Sequence, residues 1–389
     1  MNNEIYLKIK NFKCFHDIDI QLNNLTIFAG INGNGKSTAI QALLFLRRTV
    51  EHCAKWENNH FDLNKLIGLN VELNGPYCLS LGNSAYIIPA DSDAETIYLG
   101  ISGDNNTFGV TYSINAGNEL WLTPIEPLIN KFTGNPLYYQ EFYYLNAERI
   151  GPRLSQDIRF YDYYNVGNKG EYTAQIISNL NYSYEFKLDE KRTNSEFQKG
   201  NRFEHHVNAW LNYILPGVSV IPYYDEKTHV ARIEIENSFS KGNSVVPTNT
   251  GFGISYVLPI IVSGLIAQQD RFLIVENPEA HLHPSAQSKI GYFLGVIANS
   301  GVRVIIETHS DHVINGIQLA VAKKAVSNDA VTINFFTLDD KTDMETNNNQ
   351  PEVKPISITE KGELADWPKG FFDQSQIDYS QLIKQGKNV

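Results

Sequence analysis

Hydrophobic and polar residues alternate over residues 4–10 and 17–22, whereas residues 25–29 are apolar at nearly every position. Period-two alternation marks a half-buried strand, and an unbroken apolar run marks a strand covered on both faces, so three strands are expected in the first 30 residues. From Ser37 the period changes. Ile40, Leu43, Leu44 and the stem of Arg47 recur at three- and four-residue spacing, which is one buried face of a helix. Residues 70–121 break into short β-branched and aromatic runs, 96–101 and 108–113 among them, separated by Gly, Asn and Asp turns, so an antiparallel sheet is expected there. After a loop around 133–136, residues 141–145 predict another strand, and 156–215 carry mixed polar and helical signals. From Thr250 onward, apolar runs at 272–275, 302–306 and 331–336 alternate with helix-length segments, the pattern of a parallel sheet covered by helices. The polar, asparagine-rich stretch from Thr337 to Pro355 reads as a mobile loop.

Composition narrows the function classes. With 42% hydrophobic and 12% aromatic residues, a chain of 389 residues buries a sizeable core and is not disordered as a whole. Its 32 Lys and Arg stand against 43 Asp and Glu, a net charge of −11, which argues against coating nucleic acid through bulk charge. No apolar run approaches the roughly 20 residues that span a bilayer, and the first residues lack the pattern of a secretory signal, so a cytoplasmic protein with no membrane contact is expected. Cys14, Cys53 and Cys78 form no C-x-x-C pair, and they read as small buried apolar residues rather than a disulfide framework or zinc site.

The sharpest chemical signal is GINGNGKS, Gly30 to Ser37, which matches G-x-x-x-x-G-K-S between a buried strand and an amphipathic helix. Gly30, Gly33 and Gly35 allow positive φ, so that backbone N–H groups, with Asn32 and Asn34 between them, surround a phosphate chain at a helix N-terminus. Lys36 is expected on the β and γ phosphates, and Ser37, next to Thr38, on Mg²⁺. A second signal is RFLIVENPEAHLHP. Its apolar strand ends in Glu276, the geometry of a Walker B acid that holds Mg²⁺ through water, with Glu279 as a second acid to orient the attacking water. Two solvated carboxylates opening a helix before Pro284 would give the same string. GVRVIIETHS ends another strand in Glu307, Thr308 and His309, where a histidine can bond a γ-phosphate or the attacking water. His281, His283, His309 and His312 could alternatively form a metal-ligand set.

With these residues assembled, the sequence resembles the ATP-binding-cassette type of P-loop ATPases, in the branch shared by the RecF, SMC and OLD families. The segments ENPEAHLHP, ETHSDHVINGIQLAV, AERIGPR, NTGFGISYVLPI and WPKGFFDQ look like those of a bacterial ATPase family whose relatives occur in phage-defence systems. The resemblance implies an α/β fold, an ABC-type head with a parallel-sheet core and an inserted antiparallel β and helical lobe. It divides the chain into 1–68 with the phosphate cradle, 69–135 as the β insert, 136–248 as a Q-loop-like segment and lobe, and 249–389 with signature, acidic strand and switch histidine.

It also implies roles. GFGIS, with Gly251, Gly253 and Ser255, occupies the place of the signature motif that faces the triphosphate of an opposite subunit, so ATP and Mg²⁺ would close a homodimer or larger homo-oligomer head to tail. AERIGPR lies where a glutamine usually reaches the metal. Here Asn146, Glu148 or Arg149 must serve, and Arg149 is expected on a phosphate or across the subunit interface, a structural salt bridge being the alternative. HLHP replaces the D-loop, with His283 near the interface. Asn277 stands where related ATPases carry the catalytic glutamate, and asparagine cannot accept the proton of water. Hydrolysis is therefore expected to be slow or partner-stimulated, or to use Glu279 or Glu307. The function implied is an ATP hydrolase gating a separate effector, a nuclease or toxin, in antiviral defence. One alternative is a nucleotide-gated scaffold. Another is a RecF-like repair ATPase with a DNA contact at Lys187, Lys191, Arg192, Lys199 and Arg202, a cluster equally readable as a solvated helical face.

Overall fold

The computed structural model describes residues 5–57, 60–62, 69–103, 106–114, 117–130, 134–183, 185–194, 196, 200–225, 227–338 and 350–386. In chain order, strands β1 (Ile5–Phe12), β2 (Phe15–Leu22) and β3 (Leu25–Gly30) lead into helix α1 (Lys36–Cys53), and a short hairpin follows, β4 (Lys55–Glu57) and β5 (His60–Asp62). Next come β6 (Val71–Glu72), β7 (Thr96–Gly103), β8 (Asn106–Ser113), β9 (Trp121–Asn130) and β10 (Tyr143–Leu145). A lobe of α2 (Thr173–Asn181), α3 (Phe203–Ile214) and the hairpin β11 (Ser219–Asp225) and β12 (Val230–Glu236) precedes α4 (Phe252–Ile266). The chain then alternates β13 (Phe272–Glu276), α5 (Pro284–Asn299), β14 (Arg303–Glu307), α6 (Asp311–Ala322) and β15 (Val331–Thr337), before β16 (Glu352–Ile356) and α7 (Gln374–Gly386).

Two six-stranded sheets organise these elements. One is antiparallel, in the order β2-β1-β7-β8-β9-β6, and the other runs β10-β13-β14-β3-β15-β16, parallel except for β16. The expected β segment after residue 69 is thus antiparallel, and it pairs onto β1 instead of standing as a sheet of its own. The parallel strands are apolar at successive positions because both of their faces are covered. Leu25, Ile27 and Ala29 of β3 join one core with Leu273, Val275, Val304 and Ile306, under α4, α5 and α6. Phe28, Ile274, Ile305 and Phe336 point the other way, into a second core shared with α1 and the antiparallel sheet.

Arg47 ties α1 to the edge of this layer. Its whole side chain, not only its stem, is buried. The guanidinium donates to the carbonyls of Leu137 (2.7 Å), Tyr139 (2.6 Å) and Gln140 (3.0 Å), pairs with Glu51 at 2.8 Å, and lies over the Phe61 and Phe142 rings. Truncation there would strand buried carbonyls at about 1–3 kcal/mol each. The bonds fix the chain that enters β10, and so place the end of β10 beside the site described below.

Some sequence expectations change. Arg192 is not part of a basic surface: only 4% exposed, it donates to Ser300 Oγ (2.7 Å) and to the carbonyls of Gly264, Leu265 and Ala267, closing the C-terminal end of α4. Lys199 lies outside the described residues, as does most of the stretch from Thr337 to Pro355. Cys53 is buried, and burial pushes its thiol up to about 11, but Cys78 is exposed, contrary to the reading of all three cysteines as core residues. Among the described residues no helix is long and apolar enough to cross a membrane.

Candidate functional site

The turn after β3 is built by steric necessity. Gly30, Gly33 and Gly35 have φ of 133°, 84° and 90°. A Cβ on Gly30 would lie 2.2 Å from the Phe336 carbonyl oxygen, and one on Gly35 would lie 2.5 Å from Phe15 Cζ. Both glycines therefore let β15 and the β1–β2 turn close around the loop. Lys36 opens α1 and folds over the loop, donating from Nζ to the carbonyls of Gly30 (2.9 Å) and Ile31 (2.8 Å). Asn32 and Gly33 are exposed, Thr38 is buried beside Cys14, and Asn34 is buried with its Nδ2 lacking a partner.

Three carboxylates meet this loop from the carboxyl ends of β13 and β14. Glu276 and Glu307 are direct register partners across the two strands. Ser37 Oγ donates to Glu307 Oε1 at 2.9 Å. Glu276 instead faces β10: Tyr144 Oη donates to its Oε1 (3.0 Å), and the Ala147 backbone N–H donates to its Oε2 (3.3 Å). Asn146 Nδ2 in turn donates to Tyr144 Oη at 2.8 Å. Glu279 turns back on the switch segment, accepting from Thr308 Oγ1 (2.8 Å) and from the His309 backbone N–H (2.7 Å). Each of its oxygens accepts one of these bonds, so this acid holds the switch segment in place.

The electrostatics follow from crowding. Burial raises all three carboxyls above their ordinary value, and Glu307 is pushed up to about 7 because Glu276 adds its charge to the burial, against the Ser37 hydrogen bond and the Lys36 ammonium. Partial burial, then Lys36, holds the His309 imidazole below its usual value, the Gly30 carbonyl opposing. A stability prediction arises here. Glu307 binds its proton more tightly folded than unfolded, so its ionisation costs stability progressively as pH rises from the ordinary glutamate range to about 7, and the cost is constant above. Glu307→Gln, without nucleotide or metal, should raise the melting temperature by a few degrees near about pH 8, and the gain should fade toward about pH 5. A gain equal at both pH values would exclude this origin.

Arg149 is corrected. It is 3% exposed and faces inward, donating to the carbonyls of Asn146 (3.1 Å), Glu276 (2.7 Å) and Asn277 (2.6 Å). Its guanidinium lies over the Tyr256 ring, and burial lowers its value to about 10. Its described hydrogen bonds all go to backbone carbonyls of the AERIGPR segment and of the turn after β13, a structural role in place of an outward charge. That turn is unusual in itself. Asn277 has φ of 43°, donates its backbone N–H to the Glu307 carbonyl at 2.8 Å, and buries an Oδ1 with no partner.

The signature-like segment lies elsewhere. Gly251 caps α4 and is exposed, Phe252 is 52% exposed, and Gly253 and Ser255 occupy the first turn, Gly253 packing on the His281 carbonyl. Among the described residues no hydrogen bond joins residues 251–255 to residues 30–38. The four-histidine alternative is not supported. His281 stacks on Phe252 and Tyr256, His283 caps α5 by accepting from Ser285, and among the described residues no group of three or more His, Cys, Asp or Glu is placed to hold a metal. The donors do fit Mg²⁺, a cation served by one hydroxyl, one carboxylate, phosphate oxygens and water. Sequence reasoning passed over Tyr144 and Lys13. Tyr144 closes a strand two residues before Asn146, and Lys13 sits with φ of 55° in the β1–β2 turn, its Nζ donating to Gln41 at 2.7 Å.

Comparisons with known proteins agree with this architecture. The model of the AAA ATPase domain family matches residues 5–116 and 125–314, and a family described as a protein of unknown function (DUF3696) matches residues 326–382. The Old nuclease of Escherichia phage P2 is 23% identical over 216 residues, which span 49% of this chain and 37% of that protein. Among solved structures, an SMC head bound to the C-terminal winged-helix domain of ScpA superposes with a TM-score of 0.50 at 13% identity, covering 91% of this chain and 98% of that one. The Smc head with an extended coiled coil bound to the C-terminal domain of ScpA, derived from Pyrococcus furiosus, gives 0.51 at 11% identity, covering 92% and 97%. At these identities the structures establish the fold, while the family match spans most of the chain and both strand ends of the site. The chain belongs to the AAA ATPase domain family and carries it on an SMC-head fold.

Proposed function

We propose that this chain binds ATP with Mg²⁺ between two copies arranged head to tail, hydrolyses it slowly, and uses the closed and open states to gate a separate effector in antiviral defence. One observation carries the reading. The phosphate loop, its acids and His309 gather at the carboxyl end of the parallel sheet, while among the described residues the partly exposed first turn of α4 makes no hydrogen bond to them, as expected if it serves a second copy. In the proposed dimer, the N–H groups of that turn and the Ser255 hydroxyl meet the γ-phosphate held by Lys36 and the loop amides of the other copy. Mg²⁺ supplies charge neutralisation on the phosphates. Glu276 and Glu307 furnish the acidic wall, and His309, held by Glu279, faces the terminal phosphate.

The effector is proposed as a nuclease or toxin because the phage relative is named a nuclease and this chain matches little more than a third of it. The repair alternative, with duplex DNA on a basic face, is weakened by the interior position of Arg192. The scaffold alternative is favoured by a single residue, Asn277, and steady-state phosphate release at the level of a Lys36 variant with ATP binding retained would select it.

Mixing tests the head-to-tail arrangement. Lys36→Ala and Ser255→Arg should each abolish turnover alone. An equimolar mixture should recover about a quarter of wild-type activity, because half of the dimers are mixed and each of those has one intact site of two. No recovery from two folded, dimerising variants would reject a composite site.

A further inference from the structure

The sequence pattern hands the metal to Glu276, the acid that ends the run FLIVE. The structure gives the better position to its neighbour. β14, not β13, is hydrogen-bonded to β3, and Glu307 is the register partner of Phe28, two residues before the loop begins at Gly30. β13 lies one strand further out, and strands are about 4.8 Å apart. Glu307 Oε1 already sits 2.9 Å from Ser37 Oγ. Two oxygens bound side by side to an octahedral Mg²⁺ at about 2.1 Å lie about 3.0 Å apart. A cation could therefore replace the shared proton of that hydrogen bond with almost no movement of either side chain.

Glu276 is committed in the opposite direction. Its oxygens accept from Tyr144 and from the Ala147 backbone, both on the β10 side. Releasing it toward Ser37 would leave the hydroxyl of the buried Tyr144 and a backbone N–H in search of new acceptors. Glu307 has the converse problem. It is 5% exposed, and among the described residues the only hydrogen-bond donor to its carboxylate is a neutral hydroxyl. A carboxylate so buried is an unfavourable arrangement until a cation or other strong partner arrives.

We infer that Glu307, rather than Glu276, is the carboxylate that joins Ser37 in holding the divalent cation of the bound nucleotide, and that Glu276 acts from the next position out through water. This rests on the nucleotide reading of the loop. Glu276, held by Tyr144 and Ala147, would then orient metal-bound or attacking water without giving up its β10 contacts.

Mn²⁺ in place of Mg²⁺ gives a readout independent of turnover. Mn²⁺ affinity of the complex with a non-hydrolysable ATP analogue would be measured by electron paramagnetic resonance, with analogue binding in EDTA measured separately. Glu307→Gln should weaken Mn²⁺ by at least about tenfold, and Glu276→Gln by less than about threefold. Glu307→Cys should shift the complex from Mn²⁺ toward Cd²⁺, which a mere hydrogen-bond acceptor for Ser37 would not do. Glu307→Asp, which keeps the charge, guards against a folding defect and should fall between wild type and Gln. Loss of Mn²⁺ in Glu276→Gln with full retention in Glu307→Gln would overturn the inference. Failure of the wild-type chain to bind the analogue both with Mg²⁺ and in EDTA would instead overturn the nucleotide reading itself.

Discussion

Lys36→Ala is expected to cost about a hundredfold or more in ATP affinity, the largest single loss available in this chain. The ammonium would make two charge-assisted hydrogen bonds to the β and γ phosphates, each worth about 1.5–3 kcal/mol. Some of that gain is offset, since Nζ must first leave the carbonyls of Gly30 and Ile31, which it now satisfies. The lower end of the range is worth about two factors of ten before that offset and the upper end about four, so about a hundredfold is the net expected. The same two bonds predict a side effect: without Lys36 the loop loses its internal clasp, so the variant should also melt slightly lower. Lys36→Met separates the effects, because it keeps the aliphatic stem packed while removing the charge. Isothermal titration with Mg²⁺-ATP decides the matter, and wild-type affinity in a folded Lys36→Met would remove the phosphate role from this loop.

That prediction depends on a local signal, and local signals are what the sequence displays best. The glycines at 30, 33 and 35, the buried strand before them and the amphipathic helix after them are contiguous, so the loop could be read residue by residue. The apolar runs of β13, β14 and β15 were equally plain, because a strand covered on both faces has no polar face to disguise it. What stayed hidden depends on contacts between distant segments. Nothing within FLIVE or RVIIE says that the second strand and not the first lies beside β3, yet that order decides which acid meets Ser37. Arg149 was read as a phosphate or interface contact, with a structural salt bridge as the alternative, and Arg192 as part of a basic surface cluster. Each instead turns inward to backbone carbonyls that a turn and a helix end leave unpaired. The β segments after residue 69 betrayed their antiparallel pairing through turn residues but not their partner, β1, more than 80 positions away.

The contacts of Glu279 stayed hidden for a related reason. A second acid three residues after a Walker B residue is the natural candidate for handling water, and spacing alone cannot show that Thr308 and the His309 amide have claimed both of its oxygens. Its effect on catalysis should therefore pass through His309. Those bonds also join β13's turn to β14's, as the Asn277 to Glu307 backbone bond does, so the acids and the switch histidine move as one body.

Asn277→Asp should speed hydrolysis, by about a hundredfold in a single turnover, the lower edge of what a positioned general base supplies. Asn277 directly follows Glu276, and its buried Oδ1 has no protein donor, so no hydrogen bond to Oδ1 is lost when the side chain turns toward a water. Its amide can orient that water, and only a carboxylate can take its proton. Aspartate is the substitution to make because the backbone has φ of 43°, a left-handed conformation that Asn and Asp tolerate and that costs other residues about 1–2 kcal/mol. Glutamate, the usual residue at this position in related ATPases, would reach further but strain the turn that Arg149 clamps. A fourth acid beside Glu276, Glu279 and Glu307 should lower the stability of the nucleotide-free protein, and Mg²⁺-ATP should restore much of it. Quenched-flow measurement of the chemical step is the test, since steady-state turnover could be limited by product release. If the chemical step in folded, ATP-binding Asn277→Asp is no faster than in wild type, then proton removal is not what Asn277 withholds, and slow hydrolysis must be traced to the water's position or to the absent effector.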